Sequence, residues 1–311
     1  MKIRAAVVQD APPAFDAAGS VTLALSWIAK AAEAGARLAV FPEAFIGSGY
    51  PNGLDFGARV GMRSDEGREQ FRLYFENAIE VPGRETAILA EAAKAHSIWI
   101  VTGAIERDGG TLYCTALFFS PAGELLGKHR KLMPTAMERL IWGFGDGSTL
   151  PVYDTGFGKI GAVICWENYM PMMRMAMYGQ GIQLYCAPTV DDRECWNPTM
   201  RHIAIEGRCF VLSACQFATR GHYPEWCALE GPADRPVIRG GSVIVDPFGN
   251  VLAGPLHQTH GLLTAELDLD LIPRGKYDLD VVGHYSRPDV FQLTVNQSAR
   301  PPVKFDPPTA E

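Results

Sequence analysis

The chain has 311 residues, of which 47% are hydrophobic and 20% are charged, and its formal net charge is -7 at pH 7. This composition is that of a globular protein with ample material for a core, so it excludes a largely disordered chain. The negative charge argues against nucleic acid or an anionic membrane as the main partner, because both require a positive field. We therefore expect the partner to be a small molecule or another copy of the chain.

The predicted location is cytoplasmic. No apolar stretch approaches the roughly 20 residues that span a bilayer, and the opening "MKIRAAVVQD" turns acidic before a signal-peptide core develops. The seven cysteines are an odd number without a C-x-x-C pair. That usage favours reduced thiols in a reducing compartment.

Predicted strands and helices alternate in the first part of the chain. The strand "IRAAVVQ" precedes a helix that starts after Asp16 and ends at Gly35, with one apolar stripe along it (Val21, Leu25, Ile28 and Ala32). A strand "ARLAVFPE" and helices over 66–80 and 84–97 follow. The segments "IWIVTGAIE" and "TLYCTALFFSP" then flank the turn "RDGG" and predict a β-hairpin.

The second part predicts further strands over 158–164, 183–188 and 209–215, with helices starting near Pro171 and Asn197. A final hairpin, "GSVIVDPFGNVLAG", turns on Pro247 to Asn250. Alternating strands and helices combined with hairpins predict an α/β fold with mixed sheets and helices outside.

Three apolar runs end abruptly on a reactive or charged residue: Glu43, Lys131 and Cys165. Strand ends are where α/β proteins assemble sites from distant parts of the chain. Each residue also has a simpler interpretation, namely a solvated turn for Glu43, a surface cluster for Lys131 and a core thiol for Cys165. A free thiol ionises near pH 8.5 and needs a base or a cation beside it to act at neutral pH. Glu43 and Lys131 would supply one of each.

The segment from Cys165 to Pro171 predicts a strand, a turn and a helix, as in other hydrolases that project a nucleophile. Backbone N–H groups at such a turn could stabilise a developing negative charge. A cysteine–histidine pair is the usual alternative, and one formed across the fold stays open. His257 and His260 lack a second cluster with zinc spacing, so we assign no metal.

Four segments, "VFPEAFIGSGYP", "GKHRKLMPT", "ERLIWGFGDGS" and "ICWENYMP", occur in an order and at separations that resemble the nitrilase superfamily of carbon–nitrogen hydrolases. The resemblance extends from the first strand to "GHYSRPDVFQLTVN". The "C-W-E" triplet at the cysteine is similar to the true nitrilase branch, and it favours nitriles over amides as substrates. An amidase or N-carbamoyl hydrolase with the same triad is the alternative, and a non-catalytic, filament-forming or binding relative is a rival of another class.

The resemblance implies a four-layer-forming αββα sandwich and a Glu–Lys–Cys triad at Glu43, Lys131 and Cys165, with Glu138 as a second glutamate. It also implies a substrate pocket with five wall residues, for some of which core packing is the alternative: Tyr50, Trp142, Trp166, Thr189 and Trp196. No cofactor is required, since nucleophile, base and cation are all side chains.

We expect one nitrilase-like catalytic domain over 1–296, and the composition of 297–311 indicates a short Pro-rich tail. A homodimer or a larger homo-oligomer, possibly a spiral, is expected. The expected reaction converts an arylaliphatic, aromatic or aliphatic nitrile and two waters to the carboxylic acid and ammonia through a covalent cysteine thioimidate and thioester.

Overall fold

Two β-sheets lie face to face in the computed structural model, which describes residues 1–51, 63–227, 229–301 and 303. The first sheet has the strand order β13-β1-β2-β3-β4-β5. Its strands are β1 (Lys2–Gln9), β2 (Leu38–Val40), β3 (Trp99–Asp108), β4 (Thr111–Phe119), β5 (Leu125–Arg130) and β13 (Gly261–Asp268).

The second sheet has the order β10-β11-β9-β8-β7-β6, and β12 pairs with β11 beside this path. Its strands are β6 (Val152–Asp154), β7 (Lys159–Ala162), β8 (Leu184–Thr189), β9 (Phe210–Cys215), β10 (Phe217–Thr219), β11 (Pro236–Val245) and β12 (Val251–His257). The predicted hairpin that turns at 247–250 is formed by β11 and β12, and the hairpin at "RDGG" by β3 and β4.

Four helices cover the outer faces of the described sheets: α1 (Ala17–Glu33) and α3 (Arg84–Ala95) on the first sheet, and α4 (Pro171–Gly179) and α5 (Trp196–Gly207) on the second. The helices α2 (Asp65–Glu76) and α6 (Leu271–Asp278) pack instead against the cluster between the sheets. Successive residues of a strand point to opposite faces, and β1 follows this rule. Val7 belongs to the cluster between the sheets, whereas Ala6 and Val8 pack with α1 and α3. The predicted αββα sandwich with mixed sheets is therefore confirmed.

Two predicted helices differ in detail from the observed ones. The buried face of α1 contains Val21 and Ile28, as predicted, but Leu25 and Ala32 are only half-buried. The second helix ends at Glu76 rather than near residue 80. It ends early because Ile79 donates its N–H to Ile105 O at 2.9 Å and joins the edge of β3.

Strand direction decides where the site can form. In the first sheet β1, β2 and β3 are parallel, and β5 has the same direction as β3 because both are antiparallel to β4. In the second sheet β7, β8 and β9 are parallel. Glu43 and Lys131 follow β2 and β5, while Cys165 follows β7 and Thr189 ends β8. Carboxyl ends of parallel strands gather at one edge, so each sheet contributes two of these side chains.

Beyond α6 the described residues form no further helix or strand. Arg300 donates its N–H to Asp146 Oδ2 at 2.7 Å, so this part of the chain returns to the loop before β6. Residue 302 and residues 304–311 of the predicted tail lie outside the described residues. Within the described part of the chain, no helix combines the length and the hydropathy that a membrane span requires.

Candidate active site

A buried lysine joins two carboxylates at the carboxyl-end edge of the sheets. Lys131 Nζ donates to Glu43 Oε1 at 2.6 Å and to Glu138 Oε2 at 2.7 Å. The side chains of Lys131 and Glu43 have no exposed surface, and that of Glu138 has 6%. The structure thus brings together three of the four residues predicted to be catalytic in one ion cluster.

The backbone at Glu43 is held in an unusual position. Ala44 has φ 52°, a left-handed conformation that non-glycine residues rarely adopt. A Cβ on Gly103 of β3 would lie 2.6 Å from Glu43 Cα, so this close approach requires glycine. Gln216, just after β9, donates its Nε2 to Glu43 O at 2.6 Å. Both sheets therefore fix the position of this carboxylate.

Glu138 is oriented by its own loop. It lies in a 3₁₀ turn over Ala136–Leu140, and its Oε2 also accepts the N–H of Thr135 at 2.6 Å. Its Oε1 accepts the hydroxyl of Tyr50 at 2.9 Å. Both carboxylate oxygens are engaged, and one of them faces Lys131.

Cys165 begins a 3₁₀ turn, Cys165–Tyr169, that connects β7 to α4. Its φ is 49°, and strained backbone of this kind often accompanies function. Asn168 holds the turn by donating Nδ2 to Cys165 O at 2.8 Å and to Val163 O at 2.9 Å. Pro171 begins α4, as the sequence predicted. The strand, turn and helix arrangement is present, with the thiol at the tightest point of the turn.

The electrostatics of the cluster favour a neutral thiol beside a charged lysine. Burial raises the pKa of Cys165 well above its ordinary value, and the charge of Glu43 raises it further, whereas Lys131 opposes both effects. Burial works against the charge on Lys131, but the neighbouring carboxylates outweigh it and raise the pKa of that ammonium. Burial also raises the pKa of Glu43, against the attraction of Lys131. A carboxylate with a raised pKa is well suited to accept a thiol proton.

One oxygen of Glu43 remains available for that proton. Glu43 Oε1 accepts Lys131 and also the thiol of Cys114, whose Sγ is 3.5 Å away. Among the residues that the structure describes, the buried Glu43 Oε2 has no partner within hydrogen-bond distance, and the Cys165 side chain interacts with the same carboxylate and acts to lower its pKa. A buried acceptor without a partner is costly and marks a position where a proton or a ligand would be bound.

A cavity of about 300 Å³ opens next to Cys165. Its walls mix apolar and charged side chains, and it reaches both the thiol and Glu138. The lining residues are Tyr50, Thr135, Glu138, Cys165, Trp166, Val190, Asp191, Asp192, Arg193, Val237 and Ile238. Cys165 therefore borders a cavity that opens to the surface, although the residue is only 3% exposed.

The five predicted pocket residues differ in their positions relative to the cavity. Tyr50 and Trp166 line the cavity. Trp142 lies behind it, with its ring centroid 5.9 Å from that of Tyr50 and 5.6 Å from Lys131 Nζ. Thr189 lies beneath the thiol, with Oγ1 3.2 Å from Cys165 Sγ.

Trp196 is not brought to the cavity. It is the first residue of α5 and packs in the cluster between that helix and the second sheet. Its Nε1 donates to Ser213 Oγ at 2.9 Å. The helix directs this ring towards the sheet, so the core-packing alternative describes its position.

Sequence reasoning missed a second buried ion pair, formed by His129 and Glu167. His129 Nε2 is 2.9 Å from Glu167 Oε2, and its Nδ1 is 2.6 Å from Thr149 O. Glu167 also accepts the N–H groups of Ile164 and Leu132, at 2.8 and 2.6 Å. A carbonyl and a carboxylate that already accepts other donors both require an N–H from the ring, so His129 is doubly protonated.

The pKa directions agree with this charge state. Burial would lower the pKa of His129, but Glu167 outweighs burial and raises it. Burial would raise the pKa of Glu167, but His129 and the two backbone donors lower it. The pair ties the segment of Lys131 to the turn of Cys165. The glutamate of "CWEN" and the histidine two positions before the lysine were the available signals.

Trp166 is fixed at the mouth of the cavity by a third polar cluster. Its Nε1 donates to Asp191 Oδ2 at 3.0 Å, and the guanidinium of Arg193 lies 4.6 Å from the ring centroid. Arg193 also pairs with Asp191, with Nε 2.7 Å from Oδ1. Within the described ranges, no group of three or more His, Cys, Asp or Glu side chains is arranged to hold a metal ion.

Comparison with known proteins agrees with this architecture. The carbon–nitrogen hydrolase family matches residues 4–277. The chain is 61% identical to a nitrilase of Bradyrhizobium diazoefficiens, over 94% of this chain and 92% of that protein. It is 58% identical to an aliphatic nitrilase of Sinorhizobium fredii, over 97% and 98% of the two chains. Nitrilase 2 of Arabidopsis thaliana is 55% identical, over 97% and 91%.

Solved structures show the same fold at lower identity. A nitrilase-superfamily protein of Saccharomyces cerevisiae superposes with a TM-score of 0.70 at 22% identity, over 91% of this chain and 96% of that one. A mutant amidase of Nesterenkonia gives 0.65 at 24% identity, over 89% and 95%. The chain belongs to the carbon–nitrogen hydrolase family, in the true nitrilase branch of the nitrilase superfamily. It is therefore an enzyme of the nitrilase class.

Proposed function

We propose that this enzyme hydrolyses an organic nitrile with two waters to the carboxylic acid and ammonia, with Cys165 as nucleophile. The observation that carries the proposal is the buried Lys131–Glu43–Glu138 cluster beside a thiol at the floor of an open cavity. Relatives named as nitrilases at 54–61% identity over nearly the whole chain support the choice of substrate class.

The first half of the reaction forms a covalent thioimidate. Glu43 takes the proton of Cys165, and the thiolate attacks the nitrile carbon, forming a C–S bond while the triple bond becomes a double bond. The nitrogen becomes anionic and is protonated from the Glu43–Lys131 pair. Lys131 remains charged and, with backbone N–H groups of the turn at Trp166, stabilises the developing negative charge.

The second half uses both waters. Glu43 accepts a proton from the first water, whose oxygen adds to the thioimidate carbon and gives a tetrahedral intermediate. Protonation of its nitrogen expels ammonia and leaves a thioester. The second water attacks the thioester, and the carboxylic acid and the free thiol are released. Nucleophile, base and cation are all side chains, so these steps require no cofactor.

The tetrahedral intermediate can also break the other way. Expulsion of the sulfur instead of ammonia releases an amide, and the outcome depends on where positive charge is held near the nitrogen. Glu138 accepts Lys131 on one oxygen and Tyr50 on the other. We therefore propose that Glu138 tunes the ratio of acid to amide. A relative in Nicotiana tabacum, 54% identical, is named a bifunctional nitrilase/nitrile hydratase.

The cavity supports small nitriles with an apolar body. Tyr50 and Trp166 offer aromatic surface to an aliphatic, arylaliphatic or aromatic substituent, and Val190 and Ile238 add aliphatic surface. A panel of nitriles from the three classes, each paired with its amide, tests this assignment through ammonia, acid and amide release. We expect acid and ammonia from nitriles. Turnover of the amides alone would identify an amidase instead.

The covalent step has its own test. Cys165→Ala should lose turnover and the mass-spectrometric acyl adduct while keeping its thermal unfolding transition. Cys186→Ala is the matched control, because Cys186 is a buried thiol of β8 whose Sγ lies 4.0 Å from the carbonyl of Leu184 in its own strand. Turnover retained by Cys165→Ala would contradict the nucleophile and favour a binding protein.

We also propose the assembly and location that the sequence predicts. Trp166, Tyr169 and Met172 are all exposed around the cysteine turn and the start of α4, and this group of apolar side chains supports a homodimer or a larger, spiral homo-oligomer. Light scattering and electron micrographs test it, and a monomer would contradict it. All seven cysteines are described and carry free thiols, which supports a cytoplasmic location. Cell fractionation tests that location.

A further inference from the structure

The sulfur of Cys165 has a hydroxyl neighbour that is held in place by a backbone N–H. Thr189 is the last residue of β8, fully buried, and its Oγ1 lies 3.2 Å from Cys165 Sγ. Asp191 donates its N–H to the same oxygen at 2.9 Å. A hydroxyl has one hydrogen and two lone pairs. Because the Asp191 N–H occupies a lone pair, the hydroxyl hydrogen is free to point at the sulfur.

Most of the other groups around the sulfur oppose a thiolate, so a hydrogen-bond donor would help to stabilise it. Burial and the carboxylates of Glu43 and Glu138 oppose a thiolate, and Lys131 favours it. Lys131 is already shared between those two carboxylates. Two further titratable neighbours, the phenol of Tyr50 and the thiol of Cys215, interact with Cys165, and burial keeps both neutral by raising their pKa values.

We propose that Thr189 is a catalytic residue that donates a hydrogen bond to the Cys165 sulfur and stabilises its thiolate. This role rests on the proposed function of Cys165 as nucleophile. The thiol proton goes to Glu43, Thr189 keeps its own proton, and the sulfur electron pair forms the bond to the nitrile carbon. When a tetrahedral intermediate later expels the sulfur, the same hydrogen bond stabilises the leaving thiolate. A hydrogen bond of this kind strengthens as its acceptor becomes charged.

The local structure suits threonine at this position. A β-branched side chain has few χ1 choices, so a strand end can hold the hydroxyl in one orientation. The N–H of Asp191 occupies one lone pair and thereby restricts the rotation of the hydroxyl. The donor is therefore in place before the thiol ionises, and little reorganisation is needed during the reaction.

The test measures thiolate formation directly in the full-length enzyme. Iodoacetamide alkylates the thiolate, and mass spectrometry of the peptide that contains Cys165 separates it from the exposed Cys195. Rates are measured from about pH 6 to about pH 10 for wild type, Thr189→Val and Thr189→Ser. Valine keeps the shape but lacks the hydroxyl, whereas serine keeps the hydroxyl.

We expect Thr189→Val to move the alkylation profile up by about one pH unit, which slows alkylation about tenfold at neutral pH. Because burial raises the pKa of Cys165 well above its ordinary value, both thiols are mostly protonated over this range, so the rate should be lowered at each pH. Thr189→Ser should restore the profile. With a nitrile, Thr189→Val should lower kcat about tenfold while KM changes less.

Two results would overturn the proposal. They are a Thr189→Val profile that superimposes on that of wild type, and a serine variant that behaves like the valine variant. Thermal unfolding confirms that each variant is folded, and Thr189→Ala replaces Thr189→Val if that variant does not fold. Alkylation needs no nitrile, so it stays informative even if wild type turns out to hydrolyse no nitrile, which would overturn the proposed function instead.

Discussion

Two buried ion clusters contain cations that are two residues apart in the chain, His129 and Lys131, and the clusters differ in whether every polar atom has a partner. Lys131 meets Glu43 and Glu138 beside the cavity, while His129 meets Glu167 behind it. Both pairs are removed from water, where a charge is costly unless it is well paired. In the described structure every polar atom of the His129–Glu167 pair has a partner, whereas Glu43 Oε2 has none.

We interpret this difference as a structural role for the His129–Glu167 pair, called the structural pair below, and a catalytic role for the Lys131–Glu43–Glu138 cluster. A fully satisfied pair has no acceptor left for a proton, so its contribution is to position the elements it connects. We propose that the Lys131–Glu43–Glu138 cluster, in which Glu43 Oε2 lacks a partner among the described residues, keeps one acceptor for the reaction. The two clusters are alike in burial and charge. They differ in the oxygen of Glu43 that is unpartnered in the described part of the chain and in the adjacent cavity.

The largest expected effect comes from the Lys131–Glu43–Glu138 cluster. Glu43→Gln keeps the shape of the side chain but removes its ability to accept a proton, so kcat for nitrile hydrolysis should fall by roughly 10²–10⁴-fold. Ammonia release under saturating nitrile measures it. The matched variant Glu167→Gln, assayed where it is folded, should lose less in kcat. Equal losses in the two variants would remove the distinction between the clusters.

The second largest effect is expected at the His129–Glu167 pair, in the free energy of unfolding. Glu167→Gln leaves a buried imidazolium without its counter-charge, so the free energy of unfolding should fall by about 3–5 kcal/mol. Urea denaturation measures it. A double variant, His129→Gln with Glu167→Gln, should lose less than the sum of the two single losses, because the residues share one interaction. Additive losses would contradict a coupled pair.

A backbone change should damage the position of Glu43 without touching its charge. Gly103→Ala places a Cβ 2.6 Å from both Glu43 Cα and Ala44 N. We expect a loss of about 1–3 kcal/mol in unfolding free energy together with reduced kcat. Gly110→Ala, where a Cβ meets nothing within 4 Å, is the control. Unchanged kcat in a folded Gly103→Ala variant would mean that the position of Glu43 tolerates displacement.

The His129–Glu167 pair should also make the free energy of unfolding depend on pH. The pKa of Glu167 is lowered from 4.5, so its contribution is present above that value and is lost as pH falls through the lowered pKa. The pKa of His129 is raised from 6.5, so its contribution is complete below that value and is lost as pH rises through the raised pKa. Urea midpoints across pH should fall on the alkaline side, and His129→Gln should flatten that limb.

The smallest effect concerns the thiol that accompanies Glu43. Cys114 Sγ lies 3.5 Å from Glu43 Oε1 and helps to occupy that oxygen. Cys114→Ala should lower kcat by about two- to fivefold, since one weak hydrogen bond is lost. Cys114→Ser keeps a donor and should lose less. Cys186→Ala controls for packing, because Cys186 is a buried thiol whose pKa is raised by burial and whose Sγ lies 4.0 Å from the carbonyl of Leu184.

Much of the fold could be predicted from local patterns. Apolar runs with period two and helical stripes predicted the strands and most helix positions, and turn residues predicted both hairpins. Four motifs predicted the family and directed attention to Glu43, Lys131, Glu138 and Cys165. The end of α2 was predicted too late, because a pairing of Ile79 with β3 ends that helix and such a contact has no local signature.

The sequence by itself determined the family, the sandwich and the residue types that meet at the carboxyl ends of the strands, because those depend on periodicity and on motifs within short segments. Only the tertiary structure decided that Trp196 faces the core, that Thr189 lies against the sulfur and that His129 pairs with Glu167. These contacts join residues from different elements of the fold. Their geometry arises when two sheets pack, and no single segment encodes it.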